Sequence, residues 1–201
     1  MLSLLMDTSN QYLMVSLYED GQCLETIQEL GSKKQSENAI PYLEKLLKKY
    51  HKELLQLDEM IITKGPGSYT GERVAMTIAK TLSVIAPIKI KAISSLAAYA
   101  GMKPCISVID ARSQKVFVGV YENGRSLINE QLMLISDFEK IVKEYEGYQI
   151  VGQSDIVGYP MQNVDLAQNM YQLAVNVEAI DNVDALVPCY LKDVEAKKIC
   201  L

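Results

Sequence analysis

Gly65, Gly67 and Gly71 fall within one stretch of seven residues, and no other spacing in this sequence points so directly to chemistry. In GPGSYTGERV (65–74) they let the backbone turn tightly before an expected helix, whose free N–H groups can hold an anion. Ser68 and Thr70 could donate to such a ligand or cap the helix. The loop is not a Walker A sequence, because no Lys follows Gly71. It is not a nucleophile elbow either, because Pro66 stands where that turn needs Gly. The alternative is a strand-to-helix turn in which glycine serves positive φ and close packing.

Asp7 and Asp110 each end an apolar run, LSLLM and ISVI. Two carboxylates across a cleft could bind Mg²⁺ with nucleotide phosphates or place a water. Alternatively, each caps its own turn through an Asx hydrogen bond, with Thr8 and Ser9 closing the first turn instead of binding phosphate. His51 is the single histidine and lies in a polar HKE at a helix end, which reads as solvated surface. Cys23, Cys105, Cys189 and Cys200 form no CxxC pair and no metal-ligand spacing, so they read as small core residues in a reducing compartment. Lys33, Lys34, Lys45, Lys48, Lys49 and Lys52 read as a solvated helix face before a nucleic-acid footprint.

The elements that must position these residues announce themselves through a repeat. DTSNQYLMVSLYEDG (7–21) lies without a gap over DARSQKVFVGVYENG (110–124), with six identical columns. Each copy reads as a buried strand, a polar turn, an alternating second strand and a hairpin turn at Asp-Gly or Asn-Gly. The repeat predicts an α/β protein of two similar lobes, 1–101 and 102–201, facing one another across a cleft, with the option that the last residues pack back on the first lobe.

Between the repeats, QCLETIQEL, EMIIT and IKIKAI read as strands. Helices are expected over 36–50, 70–86 and SSLAAYAG. The first has apolar positions Ile40, Leu43, Leu47 and Tyr50, and Pro41 argues for a start near Ile40. The helix from Thr70 is apolar on so many sides that it must be sandwiched in a core or shared with another subunit. In the second lobe a helix after Ser136, the strand YQIVG and a helix over 165–174 follow.

Composition sets outer limits. With 49% hydrophobic residues the chain can bury a core, and its net charge of −5 disfavours autonomous binding to DNA or RNA. No run approaches membrane-spanning length, and a cytoplasmic location is expected.

LLMDTSNQYLMVSLYEDG, QSENAIPYLEKLL, LDEMIITKGPGSYTGERVAMTIAKTLS, AISSLAAYA, VIDARSQKVFVGVYENG and VPCYLK together resemble the TsaB (YeaZ) family of the bacterial tRNA N6-threonylcarbamoyladenosine machinery. The resemblance covers nearly the whole chain, and GPGSYTG is its most specific part. It implies the duplicated actin-like, Hsp70-like and sugar-kinase-like fold (ASKHA) and a non-catalytic role beside a TsaD-like transferase and a TsaE-like ATPase. It also implies docking through first-lobe helices, for which Leu43, Leu47, Tyr50, Ala75, Met76, Ala79 and Leu82 are the candidate partner-binding residues, with a homodimer when the chain is alone. On that expectation an Arg at Ala79 abolishes docking and leaves the monomer folded. No metal or resident cofactor is implied, ATP or ADP at a subunit interface being the one option. TsaD-like proteins carry a metal-binding HxxxH where Ser95 and Tyr99 stand here, and Gln35 replaces a usual His at the helix entry.

The competing reading is a small ATPase or phosphotransferase using Asp7, Thr8, Asp110 and the loop residues Gly65, Gly67, Ser68, Thr70 and Gly71 around a nucleotide. A peptidase would need a His-paired nucleophile or a metal site that the sequence does not offer.

Overall fold

The computed structural model describes residues 1–30 and 35–191, the side chain of Gln35 excepted. The expectations for Lys33, Lys34, the Gln35 side chain, Lys192 of VPCYLK and Cys200 lie outside the described residues.

Each sequence repeat becomes an antiparallel hairpin. In the first, β1 (Leu2–Asp7) pairs with β2 (Tyr12–Glu19), which continues through Asp20-Gly21 into β3 (Gln22–Leu30). In the second, β6 (Cys105–Arg112) pairs with β7 (Lys115–Glu122), which turns through Asn123-Gly124 into the short β8 (Arg125–Ser126). Asp20 and Gly21 have φ of 50° and 85°, Asn123 and Gly124 of 51° and 73°. Positive φ at both central residues marks type I′ turns, which match strand twist and explain why Asp-Gly and Asn-Gly occupy them.

The first sheet has the order β3-β2-β1-β4-β5, with β4 (Glu59–Thr63) and β5 (Lys89–Ile93) added parallel to β1. In the second, β10 (Gln149–Gly152) joins β6 in parallel, and β9 (Gln131–Leu134), a strand the sequence did not suggest, pairs with β7. The central strands are buried on both faces, which is why they read as continuous apolar runs.

Five layers result. Helices α1 (Gln35–Lys49) and α2 (Tyr69–Ile85) cover the outer face of the first sheet over Leu4, Met6, Val15 and Ile62. Helices α3 (Ser95–Ala100) and α5 (Leu166–Ala174) lie between the sheets, where Leu96, Tyr99, Met170 and Leu173 meet Leu5 and Met14 from one side and Ile109, Phe117 and Tyr121 from the other. Helix α4 (Phe138–Glu144) closes the far face of the second sheet through Phe138 and Ile141. The chain then returns to the first lobe: Ile180 N–H donates to Ile90 of β5, and Cys189 N–H donates to Lys64.

Helix α1 corrects one expectation. It begins at Gln35 and carries Pro41 in its interior instead of starting near Ile40. The buried residues Ala39 on one side of the proline and Leu43 and Leu46 on the other anchor the helix, while Pro41 itself faces solvent. Packing outweighs the missing N–H here.

Candidate functional site

The glycine loop lies flat on the first β-turn. A Cβ at Gly71 would fall 2.0 Å from the Thr8 carbonyl oxygen, and one at Gly67 would fall 2.3 Å from that of Ser9. The loop's donors are directed inward: Ser68 N–H donates to the Ser9 carbonyl at 2.7 Å, and Gly71 N–H donates to the Ser68 hydroxyl that caps α2. The backbone at Gly67 draws the Glu72 carboxyl down, against the effect of burial. Thr8 Oγ1 donates to the Gly71 carbonyl at 2.6 Å and accepts from Ala75 N–H.

Asp7 sits beneath this loop, almost fully buried. Its Oδ1 accepts from Ser9 N–H (2.9 Å), Ser9 Oγ (2.6 Å) and Thr63 Oγ1 (2.6 Å). Burial pushes its carboxyl up, against the pull of those hydrogen bonds. Ser9 Oγ also lies 2.9 Å from Ser95 Oγ, tying the turn to α3, where Tyr99 is buried. The carboxyl of Glu72, 2% exposed, is pushed up to about 7 by burial, and its Oε2 meets no donor among the described residues.

These observations place the residues named for nucleotide or anion binding. Asp7, Thr8, Gly65, Gly67, Ser68 and Gly71 are brought together, with Thr70 exposed beside them, but the Ser68 and Gly71 N–H groups and the Thr8 hydroxyl, donors that a phosphate could use, already serve other groups of this chain. A buried acidic side chain also lies against the loop. The residues present do not fit a nucleotide phosphate.

Asp110 is not brought to this cluster. Residues paired across a ladder share a face. Asp7 pairs with Met14, whose side chain lies between the lobes, whereas Asp110 pairs with Val116, which packs in the core beneath α4. The cause is a bulge between Asp110 and Arg112, which moves the partner of Asp110 from Phe117 to Val116. Asp110 Oδ1 accepts from Arg112 N–H at 2.8 Å, and Oδ2 pairs with the Arg112 guanidinium at 2.9 Å. It is a turn cap, and the expected pair of facing carboxylates does not form.

The candidate partner-binding residues need a second correction. Leu43, Leu47, Ala75, Met76, Ala79 and Leu82 are buried in this chain's own core, and Tyr50 is half-buried with its hydroxyl donating to the Leu24 carbonyl. The sheet claims the flank of α2 that the sequence assigned to a partner. An Arg at Ala79, which is 0% exposed, therefore attacks the fold and not a docking face. Among the residues that α1 and α2 turn outward are the uncharged Ile40, Thr77, Thr81, Val84 and Ile85, with Val84 80% exposed, beside the charged Glu37, Glu44, Lys45, Lys48, Lys49 and Arg73.

His51 is exposed. Lys49 and Lys52 pair with Glu25 and Glu19, so part of the basic cluster is matched by the neighbouring hairpin. Cys105 is buried and Cys189 half-buried, but Cys23 is exposed on β3, against the expectation of a core residue. Among the described residues no group of three or more His, Cys, Asp or Glu side chains is placed to hold a metal ion, and no helix is long and apolar enough to cross a membrane.

A cleft between the lobes was expected, and an open cavity of about 770 Å³ lies at their seam, but none of the residues that sequence reasoning singled out for a ligand lines it. Lys64 and Ser94 border it from the first lobe, Arg125, Asn129 and Glu130 from the second, and Asn176 from the end of α5. No short motif links these positions, and only the folded topology brings them together.

The fold and this cluster define a class: a duplicated two-lobe α/β protein in which the first lobe's strand-end aspartate is sealed under a glycine loop. Comparison with known proteins bears on the fold and the family. The family model described as TsaD, tRNA N6-adenosine threonylcarbamoyltransferase, matches residues 27–184. The tRNA threonylcarbamoyladenosine biosynthesis protein TsaB of Bacillus subtilis (strain 168) is 32% identical, covering 96% of this chain and 95% of that relative. TsaB of Escherichia coli (strain K12) is 28% identical over 60% of this chain and 56% of its own length. The solved structure of YeaZ from Pseudomonas aeruginosa superposes with a TM-score of 0.78 at 23% identity, covering 94% of this chain and 99% of that one. The ethanolamine utilization protein EutJ from Carboxydothermus hydrogenoformans reaches 0.50 at 11% identity, over 87% and 88% of the two chains, a likeness of fold alone. The chain belongs to the TsaB (YeaZ) family.

Proposed function

We propose that this chain is a non-catalytic assembly subunit of tRNA N6-threonylcarbamoyladenosine biosynthesis. It docks a TsaD-like transferase through the outer faces of α1 and α2, works with a TsaE-like ATPase in the cytoplasm, and forms a homodimer on the same faces when alone. Any ATP or ADP belongs to a subunit interface and not to the Asp7 cluster.

The observation that carries this reading is the division of labour on α2. Having buried Ala75, Met76, Ala79 and Leu82 under the sheet, the helix still presents Thr77, Thr81, Val84 and Ile85, and Ile40 stands exposed on the neighbouring α1. An uncharged strip of this kind on paired helices suits helix-to-helix packing with a related chain. The absence of catalysis is supported by the helix after β5, where Ser95 is buried and hydrogen-bonded to Ser9 and Tyr99 is buried, in place of the two imidazoles that a TsaD-like metal site uses.

Light scattering on a sizing column tests it, with the chain alone and then with the TsaD-like protein of the same organism. We expect a one-to-one heterodimer formed at the expense of the homodimer. Thr77→Arg and Val84→Arg should lose both assemblies while melting like the parent, because a charge buried at a packed interface costs about 3–5 kcal/mol when unpaired and nearly nothing in solvent. A partner ignored at micromolar concentration, or assemblies indifferent to both variants, would overturn the reading.

A further inference from the structure

We propose that the cavity at the lobe seam is a binding site for a small amphipathic anion, an apolar body carrying one acidic group. Its volume of about 770 Å³ lies within the range of small-molecule sites, and it opens to solvent, so exchange needs no rearrangement. Ile93, Ala97, Met102, Leu173 and Val177 supply apolar lining, which favours a body that sheds water on entry. Lys64 and Arg125 supply the charge, and neither makes an ion pair with another described residue. The third charged residue of the wall, Glu130, accepts a hydrogen bond from the Tyr121 hydroxyl. The wall is thus net cationic in a chain whose overall charge is −5, so its preference for an anion is local and not a property of the surface at large.

The ligand would touch Lys64 and Ile93 of the first lobe, Arg125 of the second and Leu173 at the end of α5, and so pin the two lobes in one relative orientation. This goes beyond the assembly role: the cavity shares no residue with the outer strip of α1 and α2, and each inference can fail without the other.

Two fluorescent probes test it on the full chain. One is 1-anilinonaphthalene-8-sulfonate, an anion with a flat apolar body. The other is N-phenyl-1-naphthylamine, the same body without the acid. We expect saturable one-site binding of the sulfonate, about tenfold weaker binding of the neutral probe, and a similar loss of sulfonate affinity in Lys64→Glu and Arg125→Glu. Arg125 is exposed, so that variant should fold normally, as circular dichroism would verify. Amide NMR shifts on titration should centre on residues 92–97 and 123–130. Equal affinity for both probes, indifference to Arg125→Glu in a folded variant, shifts centred on Val84 and Ile85, or no saturable binding at millimolar probe would each overturn the proposal.

Discussion

The two copies of the repeated hairpin begin from nearly the same residues and end in different surroundings. In the first, Asp7 is sealed beneath the glycine loop and holds Ser9 and Thr63. In the second, Asp110 holds only its own turn and a solvent-facing Arg112, because a bulge turns it to the other face of the sheet and no glycine loop covers it. The residues of the hairpin decide strand, turn and strand. Whether the aspartate becomes a buried keystone or a surface cap is decided by what the chain builds next to it.

That contrast can be broken most sharply at Gly71. Alanine there would drive a methyl group to 2.0 Å from the Thr8 carbonyl and lever α2 off the turn. We expect a loss of about 3 kcal/mol or more, seen as a fall of roughly 10 °C in melting temperature. In the second lobe, where Gly147 has open space around it, the same substitution meets no atom and strains only a φ of +88°, for about 1 kcal/mol.

Next in size, Asp7→Ala should cost about 2–4 kcal/mol in chemical denaturation by stranding the buried hydroxyls of Ser9 and Thr63, while Asp7→Asn, which keeps an acceptor, should recover most of it. Asp110→Ala, losing a half-exposed cap, should cost about 1 kcal/mol or less. Equal losses at the two aspartates would erase the distinction between the copies.

A smaller effect is a dependence on pH. Because burial raises the Glu72 carboxyl from 4.5 to about 7 in the folded chain, the unfolded chain gives up that proton first. The corresponding stability is complete below pH 4.5 and is lost as pH rises through 7. The difference in stability between Glu72→Gln and the parent should therefore shift in the variant's favour across that window and level off above it. A difference that stays constant with pH would mean that the carboxyl is solvated. The smallest effect expected is at Arg112, where removing the guanidinium should change stability by about 0.5 kcal/mol or less and vanish in high salt.

Much of this architecture is legible in the residues. Central strands show as apolar runs, Asp-Gly and Asn-Gly show as turns, and EMIIT becomes β4 as read. The position of α2 is also legible, but not its inward face: with apolar residues on several sides, the choice between Ala79 and Val84 depends on where the sheet lies, which helical spacing does not encode. Ile40 misled for the same reason, being in phase with the core residues yet exposed. The bulge beside Asp110 leaves no mark in an ungapped repeat, since a one-residue shift of register changes faces without changing a letter. The seam cavity gathers residues from five separate stretches of the chain, and no local signal marks its lining.

The return of the chain to the first lobe bears on how the protein is made. On a ribosome the first lobe emerges before the second, yet β5 lies at the edge of its sheet and receives the Ile180 N–H only after the strands and helices of the second lobe have been synthesised. The lobe translated first is therefore completed last, and a premature stop near residue 178 would damage the amino-terminal half of the molecule, leaving a bare strand edge open to pairing with another nascent chain.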